Sequence, residues 1–226
     1  MQQNSFVNTL SGRLLLLGVL PAMLAIGLIV TLAALESFRD LRQSEEKVMA
    51  ADASGAAALL STRNERWNGV AALLAMTQAN GMFGNRKESN ELARSTTEAF
   101  TGIIGAWLVY EPNADGQDAA SLKNTELPPG SMTSAGRFVP YWYTPLTASG
   151  ERGQIMLKPN ADMDSMDYYQ GPKNTYSRSS KAEAYLTEPY EYEGVLMVSH
   201  TFPIVAQNKF AGVAGVDRSL LALGNI

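Results

Sequence analysis

The residues best suited to binding chemistry in this sequence are aromatic and lie in its second half. They occur in otherwise polar stretches and comprise Trp142, Tyr143, Tyr168, Tyr169, Tyr176, Tyr190 and Tyr192. Such side chains present a large apolar face with a polar edge, which suits a pocket for a small polar organic molecule. An aromatic face also attracts an amine cation. Because neighbouring side chains of a strand point to opposite faces, Trp142 cannot share a face with Tyr143, and we expect about half of these rings to contact a ligand.

The composition argues against several classes of function. The sequence has one histidine, His200, and no cysteine, so thiol chemistry and the usual zinc sites are excluded. A lone histidine in a predicted strand favours a packed structural role over catalysis, and no nucleophile elbow, zinc-protease motif or phosphate-binding loop is present. The net charge is −4 and basic residues form no tract, which argues against a nucleic-acid partner. We therefore expect neither enzymatic activity nor a cofactor.

Two acidic tracts, 113–118 and 162–167, carry oxygen ligands of the kind that calcium prefers. Neither contains the longer series ending in glutamate that an EF-hand loop requires. The sequence therefore favours a tight turn for the first tract and a solvated loop for the second over metal sites.

An uncharged apolar run, Leu14–Leu35, lies near the start of the sequence. It matches the roughly 20 residues that a helix needs to cross a bilayer and exceeds the about 7–15 residues of a signal-peptide core, so an uncleaved span is favoured. Arginine flanks the run on both sides and leaves the positive-inside rule nearly balanced, while the downstream composition favours the outside. The prediction is a short cytoplasmic tail, a transmembrane helix and an extracytoplasmic module, over residues 1–13, 14–35 and 36–226.

The hydrophobic period changes along the downstream part from helical to strand-like. Alanine-rich and other helix-forming stretches predict helices over 44–80 and 89–100. Runs rich in aromatic and β-branched residues predict strands over 103–110, 137–143, 195–205 and 210–216, the last two forming a hairpin that turns at 207–209. Residues 144–186 are polar and predicted as loop. Helices first and an antiparallel sheet afterwards indicate an α+β domain.

Several pieces of this sequence, in their order and spacing, resemble the Cache sensor domains, and most closely the membrane-distal module of double Cache (dCache) receptors. These pieces are 83–86, 110–118, 136–142, 188–194 and 212–220. The resemblance implies a PAS-like domain with a central antiparallel sheet, a long N-terminal helix continuous with the transmembrane helix, and an extracytoplasmic pocket for small molecules. It also implies a transmembrane receptor in the bacterial inner membrane with its sensor domain in the periplasm.

The resemblance further implies signal transduction, and we expect a chemotaxis receptor of the methyl-accepting type. The sensor part of a histidine kinase or diguanylate cyclase, and a membrane-anchored binding module, are the alternatives. Receptors of this family continue into a second Cache module and an output domain, so the sequence is expected to be an N-terminal fragment or a truncation. A homodimer is expected along the long helix, where Ala50–Ala58 permits close approach.

The resemblance narrows the class of ligand, because two residues with which the family binds amino acids are absent from this sequence. Amino-acid-binding dCache domains carry an arginine two residues before Trp-Tyr, to grip the ligand carboxylate, whereas this sequence has Pro140. They also carry an aspartate three residues after the proline of a Pro-Tyr motif, where this sequence has Tyr192. We therefore predict that standard α-amino acids are not the ligand, and that an amine or a purine-like molecule fits better.

The candidate ligand-binding residues combine these aromatics with nearby charged groups. They are Arg137, Trp142, Tyr143, Asp167, Tyr168, Tyr169, Tyr190, Glu191, Tyr192 and Asp217. For Asp217 a structural role as a cap is favoured over ligand contact, and Arg137 is equally suited to fixing the start of its strand.

Overall fold

The computed structural model describes residues 10–11, 15–123, 126–147, 150–160 and 163–221, and the chain divides into two compact units, Met1–Leu60 and Ser61–Ile226. Most of the predicted tail, the first residue of the predicted span and Asp162 of the second acidic tract lie outside the described residues. The two units are described separately below.

Helix α1, Leu20–Thr77, begins in the first unit after a π-helical turn over Leu15–Val19. The helical segment Leu17–Met82 contains an 18-residue window with a mean hydropathy of 2.4, none of which is buried. By length and composition this segment can cross a membrane. The helix predicted over 44–80 is thus the later part of one continuous helix that includes most of the apolar run.

In the second unit, α1 buries Trp67, Val70 and Leu74 at the three- and four-residue spacing of one helix face. It ends in a π-helical turn over Gln78–Met82, where Gly81 takes the left-handed φ of 112° that favours glycine. Helix α2 follows over Arg86–Ala99. Both predicted helices are therefore confirmed, with ends that differ by a few residues.

A seven-stranded antiparallel sheet forms the centre of the second unit. Its strands are β1 Gly105–Tyr110, β2 Pro140–Tyr143, β3 Met156–Pro159, β4 Tyr185–Leu186, β5 Tyr190–Tyr192, β6 Val195–Ala206 and β7 Lys209–Ser219. The order is β3-β2-β1-β7-β6-β4, with β5 also pairing with β6. The hairpin of β6 and β7 turns at Gln207 and Asn208, whose φ angles of 51° and 61° match a two-residue type I′ turn. The predicted hairpin and the α+β class are confirmed.

The polar stretch 144–186 differs from its prediction as loop, because it contains β3 and helix α4, Asp167–Ser179. A short helix α3, Asp118–Ser121, precedes it. Gly171 and Pro172 in α4 disfavour a helix by local propensity. Both are buried, and a Cβ on Gly171 would lie 2.3 Å from the ring of Tyr185, so tertiary packing selects the small residue and stabilises the helix.

The two faces of the sheet carry separate apolar cores. On one face, next to α1 and α2, the core includes Trp67, Leu74, Leu108, Tyr110, Phe138 and Val216. On the other face, next to α4, it includes Trp107, Val109, Tyr141, Tyr168, Tyr169 and Val213. Because successive residues of β1 face opposite sides, Trp107 and Leu108 belong to different cores. The second face carries most of the aromatic residues that the sequence singled out, with Trp142 as an exception.

Candidate ligand-binding site

A narrow aromatic pocket lies on the α4 face of the sheet and contains one carboxylate. We call it the aspartate chamber; its walls are Trp107, Tyr141, Asn160, Tyr168, Tyr190, Tyr192 and Asp217. The rings lie close together and leave a free volume of only about 10 Å³. A ligand can therefore enter only if the rings move apart.

The Asp217 carboxylate is 3% exposed and lies near the end of β7, opposite Ser199 of β6. Its Oδ1 accepts hydrogen bonds from the Ser199 hydroxyl at 2.6 Å and from Trp107 Nε1 at 3.0 Å. Burial raises the pKa of Asp217 above its ordinary value, and hydrogen bonds from Ser199, Trp107 and Tyr141 offset that shift only in part. Desolvation is therefore the dominant cost at this carboxylate, and a cation placed beside it would lower that cost.

The other walls of the chamber are neutral. The rings of Trp107 and Tyr168 meet at 5.2 Å between centroids, and Tyr168 and Tyr190 meet at 6.1 Å. Burial and the nearby Asp217 carboxylate raise the pKa of Tyr141 and Tyr190, so both phenols remain protonated at neutral pH. Aromatic faces around one carboxylate form an environment that attracts an organic cation.

A second cavity, of about 190 Å³, shares the walls Tyr141 and Tyr192 with the aspartate chamber. We call it the lysine cavity, because Lys158 of β3 lines it together with Tyr143 and Glu193. The remaining walls are Ile104, Thr144, Pro145, Leu146, Val195 and Met197. The two cavities together place a carboxylate and an ammonium group on either side of a shared tyrosine wall.

The structure brings together about half of the predicted aromatic and acidic residues. Tyr168, Tyr190, Tyr192 and Asp217 line the aspartate chamber, and Tyr143 lines the lysine cavity. Asp217 accepts hydrogen bonds from Ser199 and Trp107, and a structural or a ligand-binding role for it stays a prediction.

Trp142 lies on the opposite face of the sheet from this site. Its Nε1 donates a hydrogen bond of 3.0 Å to Asn90 Oδ1 on α2, while the rings of Tyr141 and Tyr143 stack at 5.4 Å on the chamber side. The predicted alternation along β2 is confirmed, and its consequence is that Trp142 cannot act with Tyr143 on one ligand.

Four other predicted residues line neither cavity. Arg137 donates to the Asp164 carboxylate and to the Tyr169 hydroxyl at 2.8 Å, and Tyr169 in turn donates to Glu111. Asp167 accepts a hydrogen bond of 2.9 Å from the Tyr185 hydroxyl, and Glu191 is exposed. Arg137 and Tyr169 therefore fix α4 beside the chamber without contacting it.

The sequence interpretation missed Trp107, Tyr141, Asn160 and Lys158. Tyr141 had a local signal, since it alternates with Tyr143 around Trp142. Trp107 and Lys158 lie on neighbouring strands, directly opposite Tyr141 in the sheet register on either side. Their contribution depends on pairing between segments far apart in sequence, which the alternation within one strand does not show.

An antiparallel sheet with helices on both faces and a pocket lined by aromatic rings is the arrangement of a PAS-like sensor domain. Residues 92–225 match the family described as methyl-accepting chemotaxis protein-like, first PDC sensor domain. The chain belongs to this family, which agrees with the resemblance to Cache domains. It is a family of receptor sensor domains.

Solved structures of sensor domains are similar to this chain. The extracellular domain of the candidate histidine kinase mmHK1S-Z2 is 33% identical, with a TM-score of 0.62 over 74% of this chain and 58% of that one. The corresponding domain of mmHK1S-Z3 is 31% identical, with a TM-score of 0.61 over 74% and 56%. Methyl-accepting Chemotaxis protein X is 27% identical, with a TM-score of 0.57 over 81% and 66%. The chain thus spans less than two thirds of the length of these structures, and no curated protein sequence matches it.

Proposed function

We propose that this chain is the ligand-sensing part of a transmembrane receptor and that its aspartate chamber binds an organic amine cation. The observation that carries the proposal is the buried Asp217 carboxylate enclosed by the rings of Trp107, Tyr141, Tyr168, Tyr190 and Tyr192. Membership of a receptor sensor-domain family supports the sensing role.

The chemistry of the chamber supports a cation over a neutral ligand. An ammonium group beside Asp217 would offset the desolvation of the carboxylate, and its charge would be attracted to the surrounding ring faces. A purine could stack on the same tyrosines, but stacking makes no use of the buried charge. The amine is therefore favoured over the purine, and over standard α-amino acids because the family's carboxylate-binding arginine is replaced by Pro140.

The receptor is proposed to be a chemotaxis receptor of the bacterial inner membrane. The tail over 1–13 would lie in the cytoplasm, the span over 14–35 in the membrane and residues 36–226 in the periplasm. The apolar helix supports the membrane location and the family supports the chemotaxis assignment. The similarity to extracellular domains of candidate histidine kinases keeps a sensor kinase as the second possibility.

Calorimetry on the full chain in detergent tests the ligand class. Primary to quaternary ammonium compounds, purines and standard L-amino acids are titrated into the protein, and we expect binding by amines alone. Asp217→Asn removes the charge and keeps the shape, so it should weaken amine binding by at least about tenfold, as expected for removal of one partner of a buried charge pair.

Trp142→Phe on the opposite face of the sheet is the control, and it should leave the affinity unchanged. Binding of a purine or an L-amino acid that is insensitive to Asp217→Asn would contradict the proposed ligand class.

A further inference from the structure

Lys158 has an unusual position for a lysine, because its ammonium group lies among tyrosine rings. It is paired with Tyr141 across β2 and β3. Its Nζ lies 4.5 Å from the ring centroid of Tyr143, 4.6 Å from that of Tyr192 and 5.4 Å from that of Tyr141. The side chain is only 19% exposed. This cation is therefore held against the wall that the lysine cavity shares with the aspartate chamber.

The carboxylate that accompanies Lys158 is largely exposed to solvent. Glu193 forms an ion pair with Nζ, but its side chain is 58% exposed. It lies at the turn between β5 and β6, where Glu193 and Gly194 both have positive φ angles, of 50° and 78°. An exposed carboxylate keeps much of its hydration, which weakens its attraction to a cation. An anionic group of a ligand inside the cavity would be less hydrated and would bind Lys158 more strongly than Glu193 does.

The lysine cavity contains a positive charge and the aspartate chamber a negative charge. Tyr141 and Tyr192, with ring centroids 6.3 Å apart, belong to both, so a ligand that parts these rings reaches both spaces. The charge of Lys158 also lowers the pKa of Asp217 against the larger effect of burial, which places the two groups within electrostatic range. The two charged groups nevertheless lie on either side of a tyrosine wall.

We infer that the ligand is a zwitterion whose amine binds at Asp217 and whose carboxylate or other anionic group binds at Lys158, with a spacer of several bonds between them. The inference rests on the proposed function and adds the second charge. In an α-amino acid the ammonium and carboxylate groups are bonded to the same carbon, so they cannot lie on both sides of the tyrosine wall. Lys158 is thus the residue that selects ligands with an anionic group at the end opposite the amine.

Matched probes test the inference on the full chain in detergent. Calorimetry compares ω-amino acids from β-alanine to 6-aminohexanoate with the amino alcohols of equal length and with α-amino isomers such as norvaline. We expect one ω-amino acid to bind at least about tenfold more tightly than its amino alcohol, in line with one desolvated charge pair. Norvaline should not bind.

Variants assign the preference to Lys158. Lys158→Met keeps the length of the side chain and should make the affinities for the ω-amino acid and its amino alcohol about equal. Lys158→Arg should retain the preference for the ω-amino acid. Glu193→Gln removes the competing carboxylate and should keep or increase the affinity for the zwitterion. Unchanged melting temperatures exclude a folding defect.

The outcomes separate this inference from the proposed function. If amino alcohols bind as tightly as ω-amino acids and Asp217→Asn weakens the binding of both, the proposed amine binding is supported and the inference of a zwitterionic ligand is wrong. If Lys158→Met leaves a carboxylate preference intact, the role of Lys158 is wrong. If no amine of either class binds, the proposed function fails and the inference fails with it.

Discussion

At the scale of single residues, neighbours on β6 and β7 serve opposite faces of the sheet. Ser199 and Asp217 meet at the aspartate chamber, whereas His200 and Arg218 face helix α1. His200 Nδ1 lies 2.8 Å from Asn68 Oδ1, and the Arg218 guanidinium lies 3.5 Å from His200 Nε2. Because Arg218 can only donate, Nε2 accepts and Nδ1 carries the proton that His200 donates to Asn68. On both strands, the residue that contacts α1 therefore directly follows the residue at the chamber.

His200 makes the stability of the fold depend on pH. Burial, with a smaller effect of the Arg218 charge, lowers the pKa of His200 to about 4. Between its ordinary pKa of about 6.5 and about 4, the unfolded chain binds a proton that the folded chain does not, so this contribution to stability is complete above pH 6.5 and falls as the pH falls. The expected loss between pH 7.5 and 5 is about 2 kcal/mol, most of it below pH 6.5.

Denaturant unfolding at pH 7.5, 6.5 and 5 measures this dependence. The variant His200→Gln cannot titrate and should show a loss smaller by the same amount, with carboxylates elsewhere contributing equally to both proteins. Parallel pH profiles for the two proteins would contradict the argument.

At the scale of elements, one arginine joins α2 to the turn 111–118 and to α3. Arg86 is 4% exposed, and its guanidinium donates to Asp115 at 2.8 Å, Asp118 at 2.5 Å, Ser121 at 2.9 Å and the Gly136 carbonyl at 2.7 Å. The acidic tract considered for calcium is therefore a turn whose carboxylates bind an arginine.

Arg86→Ala should destabilise the fold by roughly 3–5 kcal/mol, because it leaves buried carboxylates without their partner. Lys87 is the adjacent control, since its pair with Glu126 at 3.7 Å is exposed on both sides. Lys87→Ala should cost less than about 1 kcal/mol. Urea unfolding of the two variants compares them directly, and equal costs would show that the Arg86 pairs contribute no more than a surface pair.

The elements that could be predicted are those with local signals. The strand β1 and the β6–β7 hairpin follow from β-rich runs and from the turn at Gln207–Asn208. Helix α4 was missed because Gly171 and Pro172 oppose it locally, and the packing of Gly171 against Tyr185 is not visible in the local sequence. The aromatic character of the site was visible, whereas the position of Lys158 depends on which strands pair, and that is decided by the whole domain.

At the scale of the whole molecule, α1 is the element that would connect the proposed sensing site with the membrane. It is one continuous helix from Leu20 to Thr77, with its apolar window near the start and with Asn64 and Asn68 bonded to Arg218 and His200 in the second unit. A ligand can shift a receptor only by its difference in affinity between two states. Because His200 and Arg218 adjoin the chamber residues, α1 is the element on which such a difference would act.

The proposed homodimer along α1 is tested by cross-linking in membranes. The helix is exposed throughout Ala50–Ala58, where small side chains permit a second helix to approach closely. The chain has no cysteine, so single cysteines at each position from 45 to 65 report only their own contacts. We expect disulfide-linked dimers at positions recurring every three to four residues, as one helix face meets its copy, and weak cross-linking between them. The absence of dimers at every position, or equal yields around the helix, would contradict a dimer along this helix and leave α1 to act within one subunit.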